Sequence, residues 1–168
     1  MGKLSVNKLT FAAVIASAYA ALTLVCAPIS YGPIQMRVSE VLCVLPFFFP
    51  ETAWGLFVGC VLANLVGGYG VLDVCFGSLA TLLAGLMTSK IRTKWLACLP
   101  PAVTNGVIVG AVLAYTVGEG PFWISFATFG LQVFAGELIV LYLLGLPLLH
   151  YLPKAGFFRR LLERNGQA

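Results

Sequence analysis

Six apolar runs separated by short breaks are the feature that most limits how this chain can fold. Hydrophobic residues make up 60% of the 168 residues and charged residues only 10%, whereas soluble domains carry roughly 25% charged residues. A helix needs about 20 apolar residues to cross the hydrocarbon core. The pattern predicts an all-α fold, an integral membrane bundle of six transmembrane helices in a single domain (residues 1–168). The runs cover residues 9–27, 38–49, 52–66, 72–89, 95–117 and 122–149.

The run at 38–49 is short for a transmembrane span. The distribution of basic residues indicates whether it crosses the membrane. Lys and Arg collect in cytoplasmic loops. With six spans, nine of the ten basic residues fall on one side and only Arg37 lies outside; five spans would divide them between both sides. We therefore expect six spans with both termini in the cytoplasm. The nine are Lys3, Lys8, Lys90, Arg92, Lys94, Lys154, Arg159, Arg160 and Arg164.

The N-terminal run has features of a secretory signal peptide. Lys3 and Lys8 precede an apolar stretch that contains Ala18-Tyr19-Ala20, a small-residue pattern resembling a cleavage site. Cleavage would leave five spans and put the basic tail outside, against the charge rule. We therefore expect this run to be retained as the first helix.

Neither a catalytic nor a metal-binding motif stands out in the sequence. His150 has no evident Ser, Cys or Asp partner, and there is no Walker A loop or HExxH motif. The cysteines lack the clustering of a zinc site or disulfide framework, so we interpret them as packing residues. The net charge of +4 comes from helix ends and predicts no nucleic acid partner. We expect neither an enzyme, a cofactor nor a self-powered pump. The cysteines are Cys26, Cys43, Cys60, Cys75 and Cys98.

Glu137 is the clearest functional candidate because it lies inside the sixth run with no basic residue nearby in sequence. A charge at a helix centre costs about 3 kcal/mol on insertion scales and usually faces a cavity. Gly136 is adjacent, and Gly130 leaves further room nearby. We expect Glu137 to bind a ligand; the alternative is a protonated carboxyl bonded to another helix.

Other polar residues each have a binding interpretation and a structural one. Amides in the runs offer donors and acceptors to a planar heterocycle, or bond neighbouring helices. Asp73 can cap a helix or line an entrance, and Arg37 can pair with Glu40 or act at a binding mouth. Aromatic residues near outer helix ends fit the interfacial belt or stack on a ligand. The amides are Asn64, Asn105 and Gln132, and the aromatic residues are Tyr69 and Trp123.

Small residues recur every four positions in three runs, a spacing that lets another helix approach closely. In the runs at 52–66 and 95–117 we interpret this as packing inside the bundle. The first run carries two such strips side by side, so internal packing and docking of another membrane protein both stay open. The strips are Ala12, Ala16 and Ala20 with Ala13, Ser17 and Ala21; Gly55, Gly59, Ala63 and Gly67; and Gly106, Gly110 and Ala114.

Three segments carry a family resemblance: APISYGPIQMRVSE at 27–40, GGYGVLDVCFGSLAT at 67–81, and the Gly136-Glu137 pair. Together they resemble the queuosine-precursor (QueT-type) substrate-binding subunits of energy-coupling factor (ECF) transporters. The resemblance covers about residues 9–149. It implies a multi-pass protein of a prokaryotic plasma membrane that works with a transmembrane coupling protein and two ATPase subunits, and that topples in the bilayer to carry ligand inward.

The resemblance also implies roles for the candidate residues. The ligand would be a 7-deazaguanine, either 7-aminomethyl-7-deazaguanine or queuine, with residues 28–39 as an outer lid. Glu137 would accept N1–H and N2–H of the ring, and Glu40 or Asp73 would face a cationic aminomethyl group. Arg37 would bond the ring carbonyl or orient Glu40, with Asn105 and Gln132 completing the edge contacts. The docking strip would comprise Ala12, Ala16, Ala20, Ala13 and Ser17.

Three rival interpretations remain. A binding subunit of the same class for another heterocyclic vitamin is the nearest. A self-sufficient secondary transporter would more often show an internal repeat, and none is evident in the sequence. A purely structural membrane subunit would leave Glu137 unexplained.

Overall fold

The computed structural model describes residues 6–27, 36–68 and 70–164, with only the backbone of Arg164. Tyr69 and residues 28–35 of the expected lid lie outside the described residues. Within the described ranges the chain is all-helical, as expected, with seven helices and no strand. They are α1 (Val6–Val25), α2 (Val38–Phe47), α3 (Thr52–Gly67), α4 (Asp73–Thr88), α5 (Leu96–Thr116), α6 (Phe122–Lys154) and α7 (Gly156–Arg164).

Each of the six apolar runs corresponds to one of the helices α1 to α6. Three of these, α1, α5 and α6, are long and apolar enough to cross a membrane. The apolar helices α2, α3 and α4 are shorter. The membrane-helix character of the chain therefore agrees with the sequence, whereas the number of six spans stays a prediction.

The short second run forms a 3-10 helix rather than an α-helix. A 3-10 helix rises about 2.0 Å per residue instead of 1.5 Å, so the 10 residues of α2 extend about 20 Å. Pro46 lies inside α2 and has no N–H to donate. Helix α2 contacts α1, α3, α4 and α6, so the stretched helix runs through the interior of the bundle.

The longer helices pack in chain order around α2: α1 on α3, α3 on α4, α4 on α5, and α5 on α6. Glycines permit two of these approaches. A Cβ on Gly59 would lie 2.6 Å from the carbonyl oxygen of Ala16, and one on Gly110 would lie 2.6 Å from Cα of Gly130. The expected packing role of the glycine strips in α3 and α5 therefore agrees with the structure.

The C-terminal part of the chain differs from the expectation of a basic tail. Helix α6 continues to Lys154, beyond the predicted end at 149, and α7 follows it. Phe158 and Leu162 of α7 pack in the same apolar cluster as Phe11 and Phe49. Arg159 and Arg160 lie on its exposed face, so α7 is amphipathic. A helix of 9 residues, four of them charged, is not detected by a search for long apolar runs.

Candidate functional site

Polar side chains from several helices converge inside the bundle. Glu40 of α2, Asn105 of α5 and Glu137 of α6 are each at most 2% exposed, as is Arg37 just before α2. Burying charged and polar groups is costly unless they are hydrogen-bonded or paired. We call these four residues the central cluster. All four are candidate residues of the sequence analysis, and the fold brings them into one region.

Glu137 and Asn105 join α6 to α5. The side-chain nitrogen of Asn105 donates a 3.1 Å hydrogen bond to Oε1 of Glu137. Within the described part of the chain, Oε2 of Glu137 and Oδ1 of Asn105 have no hydrogen-bond partner. Gly106 allows this approach, since a Cβ there would lie 3.0 Å from Cβ of Phe134. The arrangement fixes the Glu137 carboxylate and leaves acceptor capacity open beside it.

Glu40 is held in the same way by a residue that the sequence interpretation missed. The hydroxyl of Tyr19 in α1 donates to Oε1 of Glu40, and both side chains are completely buried. Oε2 of Glu40 has no partner among residues 6–27, 36–68 and 70–164. Tyr19 is the one tyrosine of α1. A single polar hydroxyl in an apolar helix is only a weak indication of a functional residue.

The charges of the central cluster act on one another. Glu137 interacts electrostatically with Glu40 and with Arg37, and Arg37 also interacts with Asp73. Thus one cation faces several carboxylates, and Arg37 is not confined to a local pair with Glu40. In this dry environment the interactions are stronger than in water. A bound cation would meet an excess of negative charge when both glutamates are ionised.

Asn64 and Asp73 lie together between α3 and α4. The Asn64 side chain donates a 2.9 Å hydrogen bond to the backbone oxygen of Asp73. Asp73 is half-buried in the first turn of α4 and is not its N-cap residue. Beside them a groove of about 330 Å³ is lined by Asn64, Gly68, Gly70 and Val74, among others. The pair and the groove therefore lie at the end of the bundle where α3 ends and α4 begins.

Gln132 and Trp123, both on α6, are placed differently. Gln132 is half-buried, and its Oε1 is a buried atom without a hydrogen-bond partner in the described structure. Trp123 is 75% exposed and packs on the rings of Phe122 and Phe126. The fold therefore separates Trp123 from the central cluster. Tyr69 lies outside the described residues.

The alanine strips of α1 divide between two faces. Ala12 and Ala16 are buried, because Gly55 and Gly59 of α3 lie directly against their backbone oxygens, and Ala20 is half-buried. The parallel strip of Ala13, Ser17 and Ala21 is exposed. The internal-packing interpretation therefore agrees with the structure for Ala12 and Ala16, whereas docking through the exposed strip stays a prediction.

Comparison with known proteins adds the family. The family model described as "QueT transporter" matches residues 9–154, which include every candidate site residue. The chain belongs to the QueT transporter family. Within this family, it is 31% identical to the "Queuosine precursor transporter QueT" of Lactococcus lactis subsp. cremoris (strain MG1363) over 142 residues, 76% of this chain and 83% of the relative. No solved structure matches the chain. Membership in a transporter family agrees with the apolar helices and makes transport, not catalysis, the activity to explain.

Proposed function

We propose that this chain is the substrate-binding subunit of an ATP-driven ECF uptake transporter, taking up a 7-deazaguanine queuosine precursor or queuine. The observation that carries the proposal is the pair of buried carboxylates, Glu40 and Glu137. A neutral donor holds one oxygen of each, and the second oxygen has no hydrogen-bond partner by distance and angle in the described structure. The Cys43 thiol also lies beside Glu40. The name of the Lactococcus relative supports the ligand class.

The unpartnered atoms define what the ligand must offer. The buried carboxylate and amide oxygens without partners in the described ranges are Oε2 of Glu40, Oε2 of Glu137, Oδ1 of Asn105 and Oε1 of Gln132; the hydroxyl of Ser78, which can donate or accept, also has none. A buried acceptor left without a donor costs about 1–3 kcal/mol, so a ligand rich in N–H groups gains by filling the site. A 7-deazaguanine donates from N1 and N2, and an aminomethyl group adds a cationic donor that the carboxylates favour.

The proposed topology has six spans with both ends in the cytoplasm of a prokaryotic cell. The Lys8 ammonium lies 3.8 Å from a Glu51 oxygen, and the ring of Phe158 packs against that of Phe11. These contacts put the starts of α1, α3 and α7 at one end of the bundle, in agreement with an even number of crossings. The stretched α2 and the 16-residue α3 would then cross with part of their ends shielded by neighbouring helices rather than by lipid.

The exposed strip of α1 is the proposed contact with the coupling protein. Ala13, Ser17 and Ala21 are small and exposed, and small residues at this spacing let two helices approach closely. Ala12 and Ala16 are already packed on α3, so substitutions there would disturb the bundle itself. The two ATPase subunits would act through the coupling protein, moving the loaded subunit so that its ligand leaves inward.

Mass spectrometry of ligand released from the purified chain tests the ligand class. We expect a 7-deazaguanine from wild type and none from the Glu40→Gln/Glu137→Gln double variant, with Glu163→Gln as the control. Glu163 lies on the exposed face of α7 in an ion pair with Arg159, and such surface pairs contribute little to stability. Release of another heterocyclic vitamin would overturn the ligand, and uptake that persists without any ATPase subunit would favour a self-sufficient secondary transporter.

A further inference from the structure

We propose that Tyr19 is a positioning residue that orients Glu40 and thereby determines selectivity for a cationic ligand. The inference rests on the proposed function. In this role Tyr19 does not contact the ligand. It acts through its hydrogen bond to Oε1 of Glu40, which directs the other carboxylate oxygen toward the ligand's ammonium group.

The surroundings of Tyr19 hold its ring in one place. Tyr19 is fully buried, and α3 packs directly behind it, since a Cβ on Gly59 would lie 3.1 Å from Cβ of Tyr19. One turn further along α1, the Thr23 hydroxyl lies 2.8 Å from the Tyr19 carbonyl oxygen and 2.7 Å from Oγ of Ser39. The contacts Tyr19–Glu40 and Thr23–Ser39 therefore fix the first turn of α2 against one face of α1.

The chemistry of the phenol suits this role because it is a neutral donor. A hydrogen bond from a neutral group orients a carboxylate without cancelling its charge, whereas an ion pair would do both. Glu40 also lies within electrostatic range of Glu137, which interacts with Arg37. Arg37 and Glu40 both act electrostatically on Tyr19, and a guanidinium attracts a carboxylate. The hydrogen bond from Tyr19 adds a fixed direction to that non-directional attraction, so that Oε1 of Glu40 faces α1 and Oε2 faces the interior.

The experiment compares two ligands on the purified full-length chain. Binding of 7-aminomethyl-7-deazaguanine and of 7-methyl-7-deazaguanine, which lacks the ammonium group, is measured by calorimetry for wild type and Tyr19→Phe. Loss of a hydrogen bond to a charged group predicts roughly a 10-fold weaker affinity for the aminomethyl ligand. The methyl ligand should change by less than about 3-fold, since it does not use the Glu40 charge. Tyr115→Phe, a substitution at a side chain that is 77% exposed, is the matched control.

Equal losses for both ligands, or no loss for either, would overturn the role of Tyr19. A double-mutant cycle adds a second test: Tyr19→Phe should weaken binding little further in a Glu40→Gln background, because the charge that Tyr19 orients is already gone. If Tyr19→Phe fails to fold, Glu40→Gln must weaken binding of the aminomethyl ligand more than that of the methyl ligand, or the inference is wrong, because Tyr19 acts only through the Glu40 charge. Unchanged affinity in both Glu40→Gln and Glu137→Gln would instead refute the proposed function itself.

Discussion

Asn105 donates a hydrogen bond of 3.1 Å to Oε1 of Glu137 across the interface between α5 and α6. Tyr19 makes the equivalent contact with Glu40 across the interface between α1 and α2. In both pairs a neutral donor fixes one carboxylate oxygen, and the second oxygen has no partner among the residues that the structure describes. This repetition is what a binding site for a donor-rich cation requires.

Replacing Asn105 by Leu should weaken ligand binding and destabilise the protein. The substitution removes the donor to a buried carboxylate, and a hydrogen bond to a charged group contributes about 1.5–3 kcal/mol. We expect at least a 10-fold loss of affinity for 7-aminomethyl-7-deazaguanine by calorimetry, with a lower melting temperature. Asn105→Asp places two carboxyl groups together and should be worse. Wild-type affinity in Asn105→Leu would contradict the proposed role of the pair.

The two α6 residues outside the central cluster should respond differently to substitution. Gln132→Leu should lower ligand affinity, because its buried Oε1 has no partner in the described structure and is available to the ligand. Trp123→Leu should leave affinity unchanged, because its side chain is 75% exposed. Titration of both variants with the same ligand checks this. A loss of affinity in Trp123→Leu but not in Gln132→Leu would indicate that the ligand binds near the start of α6.

Packing between α1 and α3 should tolerate no added methyl group. Gly55 lies directly against the backbone of Ala12, so Gly55→Ala forces the helices apart at a cost of about 1–3 kcal/mol. For a chain of this length each kcal/mol lowers the melting temperature by roughly 2–4 °C. Gly120→Ala is the control, since nothing lies within 4 Å of a Cβ there. Equal melting temperatures of the two variants would contradict the close approach.

Transport and binding should separate on the exposed strip of α1. In an Ala13→Leu/Ser17→Leu variant the bulk faces outward, because both residues are exposed. We expect uptake of labelled ligand by cells to fall by more than 10-fold, since docking needs close helix approach, while ligand affinity stays within about 2-fold. Thr128→Leu, at an exposed position of α6, is the control. Full uptake by the double variant would sink this docking site.

The amphipathic α7 should contribute to stability through one of two adjacent phenylalanines. Phe158 packs against the rings of Phe11 and Phe49, whereas Phe157 is 65% exposed. Phe158→Ala should lower the free energy of unfolding by about 1–3 kcal/mol, below the cost at a fully buried position, and Phe157→Ala much less. Thermal unfolding in detergent measures both. A larger effect at Phe157 would show that α7 packs with its other face.

The sequence predicted the six apolar helices and all four residues of the central cluster because hydropathy and buried charge are local signals. Glu137, Glu40 and Asn105 stand out as polar residues in apolar runs, and their burial follows from the cost of exposing them to lipid. The sequence could not show which of these side chains contact one another. The Asn105–Glu137 pair depends on the angle at which α5 crosses α6, and a one-residue rotation of either helix would separate them.

Three further features depended on tertiary packing. The sequence of α2 has no hydrophobic periodicity that distinguishes a 3-10 helix from a short α-helix. The extended winding depends on the contacts of α2 with the surrounding helices. Tyr19 looked like an ordinary aromatic residue of an apolar helix until Glu40 was placed beside it. The small-residue strips of α1 were symmetrical in sequence, and only the position of α3 shows that Ala12 and Ala16 face inward while Ala13 and Ser17 face outward.

The most direct test is the affinity of Glu137→Gln for 7-aminomethyl-7-deazaguanine, measured by calorimetry on the purified chain beside wild type and the Glu163→Gln control. Glutamine keeps the shape of the side chain but removes the charge and replaces one acceptor with a donor. Binding by wild type and control, with a loss of at least about 10-fold in Glu137→Gln, is the predicted result. Equal affinity in all three proteins would contradict the central role of Glu137.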